Sequence, residues 1–218
     1  MSLMLFAHPF SSYCQKALIA LYENETTFEY RHLGEDPAAA PELKALWPLG
    51  KFPLLLDAGK PIMEASIIVE YLDVHHPGRT RLVPRDAAQA LEVRFMDRCF
   101  DNYVMTPMQK VVLDVLRETT LRDLHGVAEA RQQLQTAYAW LEGVMSGRTW
   151  AAGEHFSLAD CAAAPALFFA DWVEPIGAQF PRLRAYRTRL LARPSFARAV
   201  DEARPYRNYF PLGAPDRD

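Results

Sequence analysis

The stretch LMLFAHPFSSYCQKALIAL, residues 3–21, decides the fold of the first part of the chain. Its first five residues, 3–7, form a short apolar run that stops at a His-Pro pair, which is typical of a buried strand ended by proline. Beyond that pair the apolar positions recur at helical spacing, and Ser11 or Ser12 is a suitable N-cap in front of them. These apolar positions are Cys14, Ala17, Leu18, Leu21 and Tyr22. We therefore expect a strand followed directly by a serine-capped helix.

Three more elements are predicted in the residues that follow. Residues 28–33 read as a second strand, which completes a parallel crossover unit. After an amphipathic turn around Leu43 and Leu46, two runs at 53–56 and 60–63 flank a D-A-G turn and predict a hairpin. A helix from Ala65 to about Val74 comes next, and a His-Pro-Gly sequence ends it. On one face of this helix we place Ile67, Ile68, Tyr71 and Leu72.

The rest of the chain is predicted to be helical. Residues 86–117 contain no glycine and one expected kink, at Pro107. A later segment has apolar residues spaced by three and four, as in a packed helix. Ser157 and Asp160 then form a capping box that opens another helix, and two shorter helices separate near residues 193–195. The residues of the three-and-four pattern are Ala130, Leu134, Ala137, Leu141 and Val144.

Composition indicates a globular protein without an obvious nucleic-acid or membrane partner. Half of the 218 residues are apolar, 23% are charged and the net charge is −3. Neither half of the chain is strongly basic, so nucleic acid is not an expected partner. No run approaches the roughly 20 apolar residues of a membrane span, and Met1 to Phe10 lacks the basic start of a secretion signal. These features predict a soluble, cytoplasmic protein.

The cysteines are predicted to be reduced thiols. Cys14, Cys99 and Cys161 are odd in number and widely separated, unlike disulfide or zinc frameworks. Cys14 shares the apolar face of its helix with Leu18 and Leu21, which favours a buried structural cysteine over a nucleophile. The six histidines are scattered, so no metal site is expected.

Two short motifs lie at places where a chain can hold an anion or a peptide. The serine pair Ser11 and Ser12 sits where free backbone N–H groups and the helix dipole stabilise negative charge, although the pair taken alone is better explained by simple helix capping. In PLGKFPLL, Pro53 opens a strand without offering an N–H to a neighbour, which indicates an edge, a bulge or a cis bond.

A third motif, PIMEAS, places Glu64, Ala65 and Ser66 at a helix start directly after a strand. An acid and a hydroxyl there can hold an amino group and a carboxylate together, with help from the free N–H groups of the helix end. The simpler interpretation is that Ser66 caps the helix and Glu64 compensates its dipole.

Together with the capping box at 157–160, these motifs resemble the cytosolic glutathione transferases over nearly the whole chain, in a serine-using, bacterial type whose class stays open. The resemblance implies an α/β part joined to an all-α part. Residues 1–78 would be a thioredoxin-like, glutathione-binding domain, and residues 86–218 an all-helical domain that contributes the electrophile pocket. A cytoplasmic homodimer with a role in detoxification is the implied setting.

The resemblance also assigns roles to individual residues. Ser11 would donate a hydrogen bond to the glutathione sulfur, with Ser12 as the substitute. The backbone of Phe52, beside a cis Pro53, would hold the cysteinyl part of the tripeptide. The remaining glutathione contacts implied are Lys51, on a carboxylate, and Glu64, Ala65 and Ser66 at the γ-glutamyl end.

A pocket for the second substrate is expected between Phe10 and the helical domain. Its candidates are Tyr103, Met108, Phe168 and Trp172, each of which is also explained by packing in a helix core.

Other activities within the same resemblance stay open. The isomerases of maleylacetoacetate have a serine-serine-cysteine turn followed by tryptophan and arginine, whereas residues 13–16 here read YCQK, so that activity ranks second. A glutathione-dependent peroxidase or disulfide reductase, and a non-catalytic binding protein with the same fold, are the further alternatives.

Overall fold

The structure of the chain is a computed structural model, and it describes residues 3–218. Met1 and Ser2, which belong to the segment considered above for a secretion signal, lie outside the described residues. Across residues 3–218, none of the helices combines the length and the apolar character needed to cross a membrane.

A four-stranded mixed sheet forms the first layer, in the order β2-β1-β3-β4. β1 pairs with β2 in parallel and with β3 in antiparallel orientation, and β3 continues into β4 through a hairpin turn at Ala58 and Gly59. Both residues of this turn have positive φ, 50° and 85°, as a tight two-residue hairpin requires. The predicted crossover unit and hairpin are confirmed. The strands are β1 (Leu3–Ala7), β2 (Phe28–His32), β3 (Leu54–Asp57) and β4 (Lys60–Met63).

Three helices accompany the sheet: α1 (Ser12–Glu23), α2 (Ala39–Leu46) and α3 (Ala65–His75). α2 is a helix of eight residues at the place of the amphipathic turn predicted around Leu43 and Leu46, which reads as a helix in the predicted element order. The predicted face of α3 is wrong at Ile67, whose side chain is 52% exposed, while Val69 is buried in its place. The physical reason is the helical period, since residues four apart share a stripe and Ala65 and Val69 therefore turn inward together.

A long continuous helical stretch follows, with a π-helical interruption just before Pro107. α4 (Ala87–Cys99) runs into a π-helical segment, Phe100–Met105, and then into α5 (Thr106–Val115). This π-helical segment lies just before Pro107, the position of the predicted kink. Pro107 has no N–H to donate, and one turn earlier the Asp101 carbonyl accepts both the Thr106 N–H and the Thr106 hydroxyl, the latter at 3.0 Å.

The chain ends in four more helices, of which α7 is the most buried. They are α6 (Leu124–Val144), α7 (Leu158–Val173), α8 (Pro181–Leu191) and α9 (Pro194–Ala203), followed by a 3₁₀ segment, Arg204–Tyr209. α7 is buried along almost its whole length and contacts α1, α4, α5 and α8. One apolar core therefore runs from β1 and α1 into the helical part, and it fixes the strand end that carries Ser11 against α5 and α7.

Candidate functional site

The turn from β1 into α1 presents a hydroxyl next to free helix amides. Ser11 is the N-cap of α1, and its Oγ accepts the Cys14 N–H at 3.4 Å. No acidic residue occupies the first turn of α1. Ser11 is half-buried, whereas Ser12 is only 8% exposed. Because Oγ of Ser11 is used as an acceptor, its proton is available for donation to an anion in front of the turn.

The Phe52–Pro53 peptide bond is cis, one of the three geometries that the sequence left open. Pro53 is buried and Phe52 is 41% exposed. Together they lead the chain into β3, the strand beside β1. This arrangement brings Phe52 to the same cavity as the two serines.

That cavity lies between the first part of the chain and the helical part, and its volume is about 280 Å³. Its floor carries the two serine hydroxyls, and most of its walls are apolar. A polar floor with apolar walls can orient a charged sulfur at one end and shelter an apolar molecule at the other. The residues that line it are Phe10, Ser11, Ser12, Phe52, Met108, Gln109, Val112, Leu113, Leu116, Phe169, Tyr209, Phe210 and Pro211.

Of the residues predicted for the second-substrate pocket, the structure brings Phe10 and Met108 to this cavity and leaves three others elsewhere. Tyr103 is 61% exposed and lines a separate cavity of about 340 Å³ against α6. Phe168 is 3% exposed, and Trp172 packs on it with ring centroids 4.6 Å apart. Phe168 and Trp172 lie behind Phe10, in the core, because α7 turns that face toward α9.

Several lining residues were missed by sequence reasoning. Val112 and Leu116 follow Met108 at four and eight residues on α5, so the helical period alone contained the signal for them. Phe169 and the segment 209–211 come from distant parts of the chain. No local pattern identifies them, since their position depends on how the tail folds back over α7.

The start of α3, predicted to hold the γ-glutamyl end, does not line this cavity. Glu64 is exposed and has φ of 69°, a left-handed conformation that is costly outside glycine. Ala65 is buried, and Lys51 is exposed and also stands outside the cavity.

Ser66 takes part in a buried ionic network instead of pointing freely outward. Its hydroxyl accepts from Lys16 Nζ at 2.8 Å and donates to Asp97 Oδ2 at 2.9 Å. Lys16 is 1% exposed and also contacts Asp97 and Asp101, at 2.6 and 2.8 Å. Arg98 closes the network from the surface. Buried charges are held only when paired in this way, so the network ties α1, α3 and α4 together.

The side chains next to the serines are not activated nucleophiles. Burial raises the pKa of Cys14 to about 12, against weaker opposing hydrogen bonds from Ser11 and His8. Burial likewise raises the pKa of Tyr13 to about 12, and the nearby Asp101 adds to the rise. The prediction that Cys14 is buried is confirmed, and all three cysteines are free thiols. Within the described part of the chain, no group of three or more His, Cys, Asp or Glu side chains converges as a metal site.

Family models match both parts of the chain. Residues 5–80 match the glutathione S-transferase N-terminal domain, and residues 107–194 match the glutathione S-transferase C-terminal domain. The chain belongs to the glutathione transferase family. The fold described above, a small mixed sheet with helices followed by a helical domain, is the fold of that family.

Relatives within the glutathione transferase family differ in what they are named for. The chain is 28% identical to a stringent starvation protein A homolog of Haemophilus influenzae, over 92% of this chain and 91% of the relative. It is 27% identical to a probable maleylacetoacetate isomerase of Vibrio cholerae, over 94% and 98%. A glutathione S-transferase structure from Methylobacterium radiotolerans, solved as a complex with glutathione sulfonate, is 29% identical over 92% and 95%, with a TM-score of 0.78.

Proposed function

We propose that this protein is a glutathione transferase that activates the glutathione thiol with Ser11 and conjugates it to a hydrophobic electrophile. The observation that carries the proposal is the shared cavity, in which the Ser11 hydroxyl and the start of α1 face apolar residues of α5. Glutathione bound in the relative from Methylobacterium radiotolerans, as its sulfonate, supports the choice of tripeptide.

The change in thiol pKa that Ser11 has to produce is small enough for one hydrogen bond and a helix start. A free thiol has a pKa of about 8.5 and is mostly protonated at neutral pH, whereas the thiolate is the nucleophile. A hydrogen bond to a charged group contributes about 1.5 to 3 kcal/mol, which equals roughly one to two pKa units. The Ser11 hydroxyl and the amides of α1 would therefore place much of the bound thiol in its ionised form near pH 7.

The apolar walls of the cavity define the class of the second substrate. Met108, Val112 and Leu116 on α5, together with Phe169 and Phe210, offer no charge to a ligand. A small apolar electrophile would be held there at the reach of the sulfur, and such positioning accounts for a large share of the rate in reactions of two bound partners. The thiolate attacks an electrophilic carbon, and the leaving group departs with the electron pair of the broken bond.

The rest of the tripeptide would extend from Phe52 toward the start of α3. Exposed Glu64 can take the α-amino group, and exposed Lys51 can take a carboxylate. Ser66 has its hydroxyl engaged with Lys16 and Asp97, so its predicted part in holding glutathione requires that network to share it. Ala65 can contribute only backbone.

The proposal also covers the roles of the two domains, the oligomeric state and the cellular role of the protein. Residues 1–78 would act as the glutathione-binding domain and residues 86–218 as the electrophile domain. Ile67 on α3, with Leu91 and Phe95 on α4, are 52%, 68% and 49% exposed, which supports a homodimer through these helices. The cytoplasmic location and the role in detoxification remain predictions.

Two of the alternatives have a specific observation in their favour. The Vibrio cholerae relative favours maleylacetoacetate isomerisation, a reaction in which glutathione would add and leave again. The Haemophilus influenzae relative, whose name describes no enzyme, favours a binding protein with this fold.

Calorimetry with glutathione, followed by turnover assays in parallel, tests the proposal. The assays use a chloronitrobenzene, an organic hydroperoxide and maleylacetone, each with the wild type and with Ser11→Ala. We expect glutathione binding and turnover of the chloronitrobenzene that Ser11→Ala impairs. Turnover of maleylacetone alone identifies the isomerase, and binding without any turnover identifies a binding protein. Absence of glutathione binding at millimolar concentration contradicts the proposal.

A further inference from the structure

His8 closes the turn that carries Phe10 and Ser11. It follows β1 directly, and its carbonyl accepts the Ser11 N–H at 3.0 Å. Its ring Nδ1 lies 3.2 Å from the Phe10 backbone nitrogen, within hydrogen-bond distance. Its own N–H points to Cys14 Sγ at 3.5 Å. One residue thus holds three points of the loop that precedes α1.

The contact with Phe10 fixes the protonation state of the ring. A backbone N–H can only donate, so Nδ1 must carry a lone pair and the single ring proton must sit on Nε2. A doubly protonated ring would turn an N–H toward the Phe10 N–H, and the hydrogen bond would be lost. Since residue 9 is a proline without an N–H, the Phe10 amide is the first backbone donor after that of His8.

The surroundings of the ring favour the neutral form. His32 of β2 lies with its ring centroid 5.3 Å away, and Tyr206 and Tyr209 of the 3₁₀ segment lie at 4.8 and 5.9 Å. Gly34 closes the remaining side, where a Cβ would come within 3.1 Å of the ring. Burial and His32 lower the pKa of His8 from its ordinary value of 6.5, while Glu35 acts in the opposite direction.

Two other titratable groups, Tyr206 and Cys14, face this cluster. The Tyr206 hydroxyl donates to Glu35 and lies 3.1 Å from His32 Nε2. The Cys14 thiol, on α1, stays protonated because burial raises its pKa to about 12. His8, whose pKa is lowered from 6.5, is therefore the group whose protonation below that value changes this cluster.

We infer that His8 is a positioning residue for the candidate site: its neutral Nδ1 holds the Phe10 amide and so orients the Ser11 hydroxyl, and protonation of the ring releases that turn. The same ring contacts Tyr209, which lines the cavity beside Ser11. Acid therefore loosens both the floor and one wall of the cavity. The inference rests on the proposed function for its effect on turnover, but not for its effect on the turn itself.

The test compares His8→Asn with His8→Leu. Asparagine carries an acceptor oxygen near the position of Nδ1 and does not titrate, whereas leucine has no acceptor. We expect His8→Asn to keep kcat/KM at neutral pH within about threefold of the wild type, and His8→Leu to lose about tenfold or more. Below pH 6.5, the ordinary pKa of His8, wild-type kcat/KM should fall more steeply than titration of the glutathione thiol alone produces. This additional fall should vanish in His8→Asn, which keeps only the fall caused by the thiol.

A second measurement follows the turn between β1 and α1 directly and needs no activity assay. In ¹⁵N NMR spectra, the Phe10 amide of the wild type and of His32→Asn should titrate as the pH is lowered below 6.5, and that of His8→Asn should not. His125→Asn, at an exposed position on α6, serves as the control and should behave like the wild type in both experiments.

The two arms separate this inference from the proposed function. Without glutathione turnover by the wild type, the proposed function fails, and the Phe10 titration alone decides the role of His8. Equal impairment of folded His8→Asn and His8→Leu would overturn the inference. So would an acid fall of kcat/KM that is as steep in His8→Asn as in the wild type, or a Phe10 amide that follows His32 instead. Circular dichroism establishes that each variant is folded before it is compared.

Discussion

The starts of α1 and α7 are both capped by serine, yet they differ in what is left for a ligand. At α7, the Asp160 carboxylate accepts from the Ser157 N–H and hydroxyl at 2.9 and 3.1 Å, from the Ala151 N–H at 2.8 Å and from the Tyr186 hydroxyl at 2.6 Å. At α1, no acid occupies the first turn and the cavity opens in front of Ser11.

This difference separates a folding signal from a candidate site. A helix start that carries its own carboxylate has its donors paired, and its burial leaves no donor for an external ligand. A helix start without one, facing a cavity, has donors that an external anion can take. The serine residue alone does not distinguish the two cases, whereas the residue three positions later and the exposure do.

The largest effect is expected at the start of α7, where Asp160→Ala would leave four buried donors with no acceptor. A buried donor left without an acceptor costs about 1 to 3 kcal/mol, so the loss of this carboxylate is expected to cost several kcal/mol. The free energy of unfolding, measured with urea, should fall by about this amount. Asp201→Ala, at an exposed carboxylate on α9, should change it by less than about 0.5 kcal/mol. A small effect of Asp160→Ala would mean that α7 does not depend on its cap.

At the start of α1, a substitution of the capping serine should change activity instead of stability. Ser11→Ala is expected to lower kcat/KM for conjugation by more than about tenfold, because the charged hydrogen bond to sulfur is lost. Ser12→Ala should have a smaller effect, since Ser12 is only 8% exposed. Ser157→Ala, the matched serine of α7, should leave kcat/KM of the folded protein unchanged. Equal, mild effects of Ser11→Ala and Ser12→Ala would remove the role assigned to Ser11.

A moderate effect is expected where α5 faces the start of α1 across the cavity. Val112→Phe would fill part of the cavity of about 280 Å³. We expect KM for the electrophile to rise about fivefold, with the glutathione dissociation constant unchanged, because the added ring excludes the second substrate only. Thr136→Phe adds the same ring to the separate cavity lined by Tyr103 and should change neither constant. A rise in the glutathione dissociation constant alone would place the two ligands differently.

The smallest effect should come from the cysteine beneath Ser11. Cys14 is fully buried and its raised pKa, about 12, keeps it protonated. Cys14→Ala should cost about 1 kcal/mol of stability through a small cavity and change kcat/KM by less than about twofold. Iodoacetamide should not inactivate the native wild type. Rapid inactivation that Cys14→Ala abolishes would assign a catalytic role to this thiol.

Sequence reasoning succeeded where the determining interactions are local. Caps, prolines and apolar periods identified α1, the β3–β4 hairpin and the capping box of α7, because each depends on residues within a few positions. It failed at Ile67, where adjacent apolar residues made two stripes of α3 equally apolar. Tyr103, predicted for the second-substrate pocket, lines the separate cavity against α6, and no local pattern indicates on which side the π-helical segment places it.

Tertiary packing produced what the sequence could not predict. Nothing local indicates that Lys16 is buried, because its partners Asp97 and Asp101 lie more than 80 residues away. The wall of the cavity at 209–211 likewise depends on how the tail folds back. The roles of Ser11, Glu64 and Ser66 toward glutathione remain predictions.

The pKa of bound glutathione tests the central claim most directly. Ultraviolet absorbance of the thiolate, followed across a pH titration, gives this pKa for the wild type and for Ser11→Ala. We expect a wild-type value about one to two units below the free thiol's value of about 8.5, and a value close to the free thiol in Ser11→Ala. The same lowered pKa in both proteins would contradict the account, because the sulfur would then be ionised without the Ser11 hydroxyl.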